Sequence, residues 1–418
     1  MQFLDARIRP HNRLYYSKRK DNSMLFVNLN AGMNLHQLAL ADALYSILGE
    51  QFIFIEFGQD VALQKGSFAD ATKGADDYKD RPYIFRMHES EKNENLAKEL
   101  IAKADVLRTG GEPMVLTTER IKSGKLTFRS AERTFKGPFW KDILRICGLY
   151  RTCVKPSNPN YRILCQSAYK PNDLKMFGHG YHEKCYKFAY FTQIPELDIE
   201  SVIKSRRQDK IQIVWCARFI HLKHPELILK LAKKLIASGR NNYEIQMIGA
   251  DNMPLWHKTK EDIEKMNLNN HIVLTGGLPN VEVLERMRQS HIFIFTSNRR
   301  EGWGAVLNEA MGAGCACVAS HEIGSVPFLI KNKENGMIFR SCSVDSLFEK
   351  VAYLYDNPDE CRRMGKNAYQ TITTEWSART AAHRLVQLSE SILAGKEITY
   401  EDGPCSKAYP IVANKLIR

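Results

Sequence analysis

The feature that most constrains the fold is an alternation of short apolar runs with longer helical patterns, which continues along most of the chain. The runs are apolar throughout rather than at every second residue, and strands of that kind are buried on both faces of a parallel sheet. Repeated strand–helix–strand units in both halves predict an α/β protein with two doubly wound, Rossmann-like domains. The predicted strands are 24–29, 52–57, 83–87, 105–110, 161–167 and 186–191, then 211–218, 243–249, 272–277, 292–297 and 315–320.

The length of 418 residues agrees with two domains, because one compact core rarely grows so large. We place the N-terminal domain at 1–200 and the C-terminal domain at 201–378. The join is predicted within 192–210, where a proline and a charged run precede a strongly apolar strand. An amphipathic helix at 379–395, which can cross back to the N-terminal domain, and a loosely attached tail at 396–418 are expected to follow.

Composition excludes several classes of protein. A hydrophobic content of 44% and a charged content of 26% are typical of a soluble globular protein, and no apolar run is long enough for a membrane span. The first 20 residues lack the apolar core of a signal peptide. The ten cysteines form no CxxC pair, which favours reduced thiols in the cytoplasm over disulfides or a metal site.

The net charge of +13 is unevenly distributed, since residues 101–170 contain 14 Lys/Arg against 5 Asp/Glu. Such a segment attracts an anionic membrane, a nucleic acid or an anionic substrate, although a solvated basic surface is an equally ordinary reading. The segment has no repeat of basic and aromatic residues typical of an RNA-binding sheet, so no nucleic-acid partner is expected. A non-enzymatic protein that binds polyanions stays open as an alternative.

The stretch 298–320 contains Glu301 and Glu309, with Gly302 and Gly304 just after the first glutamate. Glu301 follows a predicted strand, and a helix is expected from about residue 305 to 313. Eight residues of helical rise would separate the carboxylates by ~12 Å. Glycosidases need roughly 5–9.5 Å between two carboxylates that act on one bond. The spacing instead suits an elongated ligand such as a nucleotide sugar, although a helix with an acidic first turn and one surface glutamate is the ordinary alternative.

Arg218 and Lys223 straddle the turn after the first strand of the C-terminal half. A guanidinium can bind a phosphate at two points, and an ammonium adds a compact positive charge. Together the two cations could balance a diphosphate leaving group. Two surface cations at a strand end would be the simpler reading of either residue alone.

With this turn, Glu-Gly-Trp-Gly and Glu309 in order, the sequence resembles the family-four glycosyltransferases over about 211–385. The resemblance implies the GT-B architecture, in which two Rossmann-like domains face a central cleft. It implies a retaining transferase that needs no metal or cofactor. The partners it implies are a nucleotide-diphosphate sugar donor and a glycan or lipid-linked glycan acceptor. Over the N-terminal domain, residues 28–50 are similar to members of bacterial surface-polysaccharide biosynthesis.

The resemblance also implies residue roles. Glu301 would hold the hydroxyls of the transferred sugar, Glu309 would bind the ribose, and Arg218 and Lys223 would neutralise the departing diphosphate. The donor would further contact the segment that comprises Gly302, Trp303, Gly304 and Val306. In the N-terminal domain the expected contacts are Gly32 near the phosphate, Asn34 and His36 beside it, His88 facing the sugar, and Glu89.

Two segments depart from the family pattern. The usual double glycine of the first loop is Ala31-Gly32 here. Where many members read Gly-Gly-x-Pro-Glu, this chain has Gly324-Ser325-Val326-Pro327-Phe328 and therefore lacks the glutamate near the sugar. A nucleotide-sugar hydrolase or epimerase on the same fold stays open as a second enzyme class.

Residues 136–155 alternate apolar and basic side chains at helical spacing. This pattern predicts either an amphipathic helix on an anionic membrane surface or a core-facing helix with its basic residues in water. The first reading would place the enzyme peripherally on the inner face of the cell membrane. The apolar positions are Trp140, Ile143, Leu144 and Cys147, and the basic ones are Lys141, Arg145 and Arg151.

Overall fold

The computed structural model describes residues 24–58, 81–111, 114–136, 143–155, 158–178 and 181–417. The strands of the first sheet are β1 Phe26–Asn30, β2 Phe52–Glu56, β3 Ile84–Arg86, β4 Val106–Thr109, β5 Leu126–Ala131, β6 Tyr161–Cys165 and β7 Cys185–Lys187. They are ordered β3-β2-β1-β4-β5-β6-β7. The pairings β1–β2, β1–β4, β2–β3, β4–β5 and β6–β7 are parallel.

The second sheet has six strands in the order β10-β9-β8-β11-β12-β13, and all of its pairings are parallel. Strand order reverses at β1 in the first sheet and at β8 in the second, as in doubly wound folds. The prediction of two such α/β sheets is confirmed. The strands are β8 Ile211–Cys216, β9 Tyr243–Ile248, β10 Ile272–Gly276, β11 Ile292–Phe295, β12 Ala316–Ser320 and β13 Gly336–Phe339.

Helices connect the strands of both sheets. Within the described residues they are α1 Leu35–Leu48, α2 Glu91–Lys103, α3 Thr118–Lys122, α4 Ile143–Leu149, α5 Lys170–Lys175, α6 Ile199–Ser205, α7 Glu226–Ala237, α8 Pro254–Lys265, α9 Asn280–Gln289, α10 Val306–Gly312, α11 Val326–Leu329, α12 Val344–Asp356, α13 Pro358–Thr373 and α14 Ala378–Leu393. None of the helices in this part of the chain has an apolar stretch long enough to cross a bilayer.

The core of the second sheet shows how these elements arise from the sequence. On α7, Leu227, Leu231 and Leu235 recur every four residues and are almost completely buried. They pack in one cluster with Ile213 of β8 and Ile245 of β9. Burial of each such side chain contributes roughly 1.5–3 kcal/mol, so the apolar stripe holds the helix on the sheet.

Strand β5 was not predicted, because its sequence LTFRSA places polar residues at alternate positions. Thr127 is nevertheless completely buried, and its hydroxyl accepts a hydrogen bond from Arg120 Nε at 3.3 Å. Arg120 is itself buried and donates to the carbonyls of Ile101, Ala104 and Leu126. The buried Arg120 guanidinium thus provides hydrogen-bond partners for Thr127 and for the carbonyls around it. The sequence pattern alone would assign this polar segment to a loop.

The prediction of a loosely attached tail is wrong for residues 402–408. Lys407 forms an antiparallel bridge with Tyr186 of β7. Cys405 N–H donates to the carbonyl of Lys187 at 2.8 Å, and Lys187 N–H donates to the carbonyl of Ser406 at 2.8 Å. Cys405 is 1% exposed. The tail has no apolar periodicity, but the free backbone groups of an edge strand bind it.

By compactness the chain forms two units. The first consists of Met1–Arg129, Pro156–Arg162 and Val386–Ile398. The second consists of Ser130–Lys155, Ile163–Leu385 and Thr399–Arg418. The second unit therefore contains the whole six-stranded sheet, strand β7 and the tail that pairs with it.

Candidate functional site

The carboxyl edge of β8 and β11, at the reversal point of the second sheet, brings Lys223 and Glu301 together. Lys223 lies in a short turn after β8, Glu301 lies in the loop after β11, and their side chains form an ion pair. The two side chains are only 12% and 15% exposed. Ser297 Oγ donates a second hydrogen bond to the Glu301 carboxylate at 2.9 Å. Ligands of open α/β sheets bind at this kind of position.

The backbone beneath Lys223 is fixed by a buried polar chain. Trp215 Nε1 donates to Thr296 Oγ1 at 2.8 Å, and the Thr296 hydroxyl donates to the carbonyl of Lys223. The ammonium of Lys223 lies 5.7 Å from the centre of the Phe295 ring. Because Trp215 and Thr296 are both buried, the turn that carries Lys223 is held from inside the sheet.

Arg218 lies two residues beyond the end of β8 and is exposed. Among the described residues its guanidinium has neither an ion pair nor a hydrogen bond. An exposed guanidinium at the reversal point of the sheet, with no partner among the described residues, is free to bind an anion. The structure therefore places Arg218, Lys223 and Glu301 at one edge of the second sheet, as the sequence predicts, while their roles stay predictions.

In the segment from Gly302 to Gly304 only backbone groups are available to a ligand, because two residues are glycines and the Trp303 side chain is buried. Trp303 is 1% exposed, and its indole N–H donates to Asn308 Oδ1 at 2.9 Å. Gly304 has φ +83°, and a Cβ there would lie 2.4 Å from Cζ of Phe295. Trp303 thus anchors the loop, and the glycine at 304 is needed both for its left-handed backbone and for the close approach to Phe295.

Helix α10 begins at Val306, so Glu301 precedes it by five residues and Gly304 interrupts any helical path between them. The separation of ~12 Å expected for Glu301 and Glu309 assumed that all residues between them are helical. Because residues 301–305 lie outside the helix, this distance does not follow. The sequence correctly predicts a helix that carries Glu309, but it extends that helix by one residue at each end. Val306 occupies its first position.

Glu309 lies on α10 without a hydrogen bond or ion pair for its carboxylate among the described residues. Burial raises the pKa of this carboxyl from 4.5 to about 7. The nearby Cys216 thiol has its pKa raised to about 12, chiefly by burial, with the Glu309 carboxylate raising it further and Lys223 lowering it. Glu309 and Lys223 are therefore close enough to act on the same thiol. A desolvated carboxylate without a partner is a costly arrangement that a ligand hydroxyl could relieve.

Phe328 occupies the position at which many family members have a glutamate. It is 7% exposed and stacks on Trp376, with ring centroids 5.8 Å apart. The substitution therefore extends an aromatic core and leaves no charged group. Gly324 in the same segment lies against the backbone of Gly302, since a Cβ at 324 would be 1.7 Å from the carbonyl oxygen of Gly302.

Glu132 lies against the Gly-Trp-Gly segment and was not predicted from the sequence. It follows β5, and its carboxylate accepts hydrogen bonds from Lys136 Nζ at 2.6 Å and from the Tyr190 hydroxyl at 2.9 Å. A Cβ added to Gly302 would lie 1.9 Å from Glu132 Oε2, so this carboxylate touches the Gly-Trp-Gly backbone. Recognition of β5 as a strand would have placed Glu132 at a carboxyl edge.

The residues predicted after β1 lie at the reversal point of the first sheet. Gly32 is buried, and Asn34 caps α1 by accepting the His36 N–H at 3.0 Å. His36 is half-buried, and burial lowers its pKa. Asn34 therefore has a structural role that accounts for its position, whereas a ligand contact by Gly32 or His36 stays a prediction.

His88 and Glu89 follow β3, the outer strand of the first sheet. His88 Nδ1 lies 3.0 Å from Glu94 Oε1, and Glu89 pairs with Arg86 at 3.6 Å. Two strands, β2 and β1, separate β3 from β4. Each of the two side chains thus has a local partner, and β3 lies two strands away from β1, where the strand order reverses. A contact of His88 or Glu89 with a sugar stays a prediction.

Comparisons with known proteins agree with this geometry. Residues 198–371 match the family model described as glycosyl transferases group 1. The chain is 27% identical over 122 residues to a GDP-mannose-dependent α-(1-6)-phosphatidylinositol monomannoside mannosyltransferase of Mycobacterium tuberculosis, covering 28% of this chain and 31% of that protein. It is 23% identical over 158 residues to the lipopolysaccharide core biosynthesis mannosyltransferase LpcC of Rhizobium leguminosarum, covering 38% and 42%. The chain thus spans less than half the length of these two curated relatives.

Among solved structures, Anabaena HepE in complex with UDP and glucose superposes with a TM-score of 0.61 at 12% identity, covering 88% of this chain and all of that one. This likeness concerns the fold alone. The sequence resemblance to a glycosyltransferase family is confirmed by the family match. The chain has the GT-B fold, and its residues 198–371 match the family of glycosyl transferases group 1.

Proposed function

We propose that the protein is a retaining glycosyltransferase that moves a sugar from a nucleotide-diphosphate sugar to a glycan or lipid-linked glycan. The observation that carries the proposal is the partly buried Lys223–Glu301 ion pair at the reversal point of the second sheet, where Arg218 lies at the same carboxyl edge and has no partner among the described residues. Together these side chains offer two cations for a diphosphate and one carboxylate for sugar hydroxyls.

In the proposed reaction, Arg218 and Lys223 stabilise the charge that develops on the diphosphate as the glycosidic bond breaks. A phosphate that approaches Lys223 would share its ammonium with Glu301, and this would leave Glu301 free to accept hydrogen bonds from the sugar. Glu309 would bind the ribose hydroxyls. Because two protein cations carry the neutralisation, the proposal needs neither a metal nor a cofactor.

The family match and the relatives support a donor of this class, but the relatives differ in the nucleotide that they are named with. The mycobacterial relative uses GDP-mannose, whereas Anabaena HepE is described with UDP and glucose. One mannosyltransferase is named for phosphatidylinositol monomannoside and the other for lipopolysaccharide core biosynthesis. These names support a role of this protein in the synthesis of cell-surface glycans. The base and the sugar are therefore questions for a binding screen.

The test is a thermal-shift screen of the intact protein with nucleoside diphosphates and their sugars. We expect stabilisation by one nucleotide, since a ligand at 100 times its dissociation constant adds about 2.7 kcal/mol. Arg218→Ala should abolish most of it, and Arg300→Ala, which removes an exposed arginine from the same loop region as Glu301, should not. No stabilisation by any nucleotide would refute the proposal, and turnover of labelled donor without acceptor would favour a hydrolase or epimerase.

We further propose that a basic patch on α4 and the turn after it contacts an anionic membrane surface. Leu144 is 85% exposed and Tyr150 48% exposed, while Arg145 and Arg151 are exposed beside them. Apolar side chains in water among arginines match the headgroup region of anionic lipid. Trp140 and Lys141, which the sequence analysis assigned to the same helix, lie outside the described residues.

Co-sedimentation with vesicles that contain phosphatidylglycerol tests this surface. Arg145→Glu with Arg151→Glu should reduce binding, and each removed cation is worth about 1 kcal/mol near an anionic surface. The matched control is Lys258→Glu with Lys260→Glu, two exposed lysines of α8 that give the same change in net charge. Equal losses in the two variants would show that net charge alone drives binding.

A further inference from the structure

A cysteine, a histidine and a glutamate form a linked cluster beside the proposed donor site, and no role has been assigned to them. Cys342 Sγ lies 3.5 Å from His224 Nε2. On the other side of the imidazole, Nδ1 lies 2.7 Å from Glu226 Oε1. Asn298 Nδ2 is also 2.8 Å from His224 Nε2. Cys342 is exposed, whereas the His224 side chain is 19% exposed.

The partners of His224 indicate which tautomer of its neutral ring fits the cluster. A carboxylate only accepts hydrogen bonds, so Glu226 takes the Nδ1–H and leaves a lone pair on Nε2. The Asn298 amide at 2.8 Å and the Cys342 thiol at 3.5 Å are the two donors within reach of that lone pair. Among the described residues, His224 is thus a base within reach of a nucleophile and is oriented by a third group, which is the general arrangement for activating a side-chain nucleophile.

The cluster sits on fixed backbone. Ser341 N–H donates to His321 Nδ1 at 3.0 Å, and the Ser343 hydroxyl caps α12 by accepting the Ser346 N–H at 3.2 Å. His224 and Cys342 both have left-handed backbones, with φ of 49° and 60°. Non-glycine residues adopt this conformation at a cost, and the surrounding hydrogen bonds hold it here.

We propose that Cys342 is an oxidation site for hydrogen peroxide, activated by His224 and Glu226. The thiol proton moves to His224 Nε2 as sulfur attacks one peroxide oxygen; the S–O bond forms and the O–O bond breaks. The departing hydroxide takes the proton back from the imidazolium and leaves as water. Sulfur is oxidised to a sulfenic acid and peroxide is reduced, so the balance is one thiol and one peroxide to one sulfenic acid and one water.

The site is coupled to the donor loop through Asn298, a link that rests on the proposed function. Asn298 contacts His224 with its amide nitrogen, and its Oδ1 accepts the Arg300 N–H at 3.0 Å. Its carbonyl accepts the Glu301 N–H at 3.0 Å. A substituent on Cys342 that displaces His224 therefore acts on the residue that positions Glu301.

Reactivity is measured on the whole reduced protein with dilute peroxide and dimedone, which traps sulfenic acids, followed by mass spectrometry. Cys147 is the internal control, because it is also exposed. We expect Cys342 to be trapped about tenfold faster than Cys147, the effect of one charge-assisted hydrogen bond. His224→Asn should remove that advantage and leave Cys147 unchanged, since asparagine tolerates the left-handed backbone at 224. Equal rates in the folded protein, or an advantage that survives His224→Asn, would overturn the proposal.

A second measurement separates this chemistry from the donor site. In a Cys147→Ser background, thermal stabilisation by UDP and by GDP is compared before and after dimedone capture at Cys342. The coupling predicts a smaller stabilisation after capture, and an unchanged one would refute it. If neither diphosphate stabilises the untreated protein, the proposed function is in question while the peroxide result stands on its own.

Discussion

Glu309→Gln should make the protein more stable at alkaline pH. Burial raises the pKa of the Glu309 carboxyl from 4.5 to about 7, without a compensating ion pair among the described residues. Glu309 and Arg288 line one small pocket, but the Arg288 guanidinium donates a hydrogen bond to the Glu285 carboxylate at 3.1 Å. Glutamine retains the size of the side chain and cannot ionise, so the exchange removes the desolvated charge alone.

The magnitude follows from linkage. Between pH 4.5 and about 7 the folded protein retains a proton on Glu309 that the unfolded chain has lost, so the free energy of unfolding falls as pH rises through this window. At about 1.4 kcal/mol per pKa unit, the wild type is less stable by about 3 kcal/mol at pH 8 than it would be with a neutral side chain. For a unit of this size, that corresponds to roughly 6–12 °C in the midpoint of thermal unfolding.

Thermal unfolding of both proteins from pH 4.5 to pH 8 measures this difference. We expect the two unfolding midpoints to coincide at the acid end, and the midpoint of the variant to exceed that of the wild type progressively as pH rises. Binding of a nucleoside diphosphate should weaken in the variant, because Glu309 is proposed to bind the ribose. Glu401→Gln, at an exposed position, should show no such divergence. A variant that is less stable than the wild type at pH 8, or a difference independent of pH, would refute a desolvated Glu309.

Three other exchanges test separate contacts. Arg218→Ala should weaken diphosphate binding in calorimetry by about 1.5–3 kcal/mol, the value of a hydrogen bond to a charged group, with an unchanged unfolding midpoint because the side chain is exposed. Gly302→Ala should destabilise the protein, since its Cβ would meet the Glu132 carboxylate at 1.9 Å, and Glu132→Ala should rescue it; additive losses in a double-mutant cycle would contradict that contact. Gly365→Ala, which elsewhere in a helix gains about 1 kcal/mol, should lower the midpoint here because the Cβ would lie 2.2 Å from the carbonyl oxygen of Gly314; a raised midpoint would show that the backbone can yield.

The sequence predicts much of the fold because most strands are apolar throughout. The eleven predicted strands all correspond to strands of the structure, for example 211–218 to Ile211–Cys216 and 292–297 to Ile292–Phe295. The last predicted run of the first half is the poorest match, since 186–191 overlaps only the end of Cys185–Lys187. Apolar content locates a buried strand but does not determine where its backbone pairing ends.

What the sequence could not predict depends on long-range polar contacts. Strand β5 contains a buried threonine whose partner, Arg120, is itself buried on carbonyls of other elements. No local sequence pattern predicts such a contact. Because β5 was not predicted as a strand, Glu132, which directly follows it, was not predicted to lie at the carboxyl edge of the sheet. The Lys223–Glu301 pair spans 78 positions in the chain. Both residues were nevertheless predicted as site residues, because they occupy positions of a family motif and not because of any hydrophobic periodicity.

The pairing of the tail with β7 has a consequence for synthesis of the chain. Lys407 meets Tyr186 across 221 positions, so at roughly 5–20 residues per second β7 leaves the ribosome about 10–45 s before the segment that covers it. During that interval its outer backbone groups have no partner from the tail. Synthesis rate, rather than the final stability of the fold, would then determine how long this edge is open to pairing with another nascent chain.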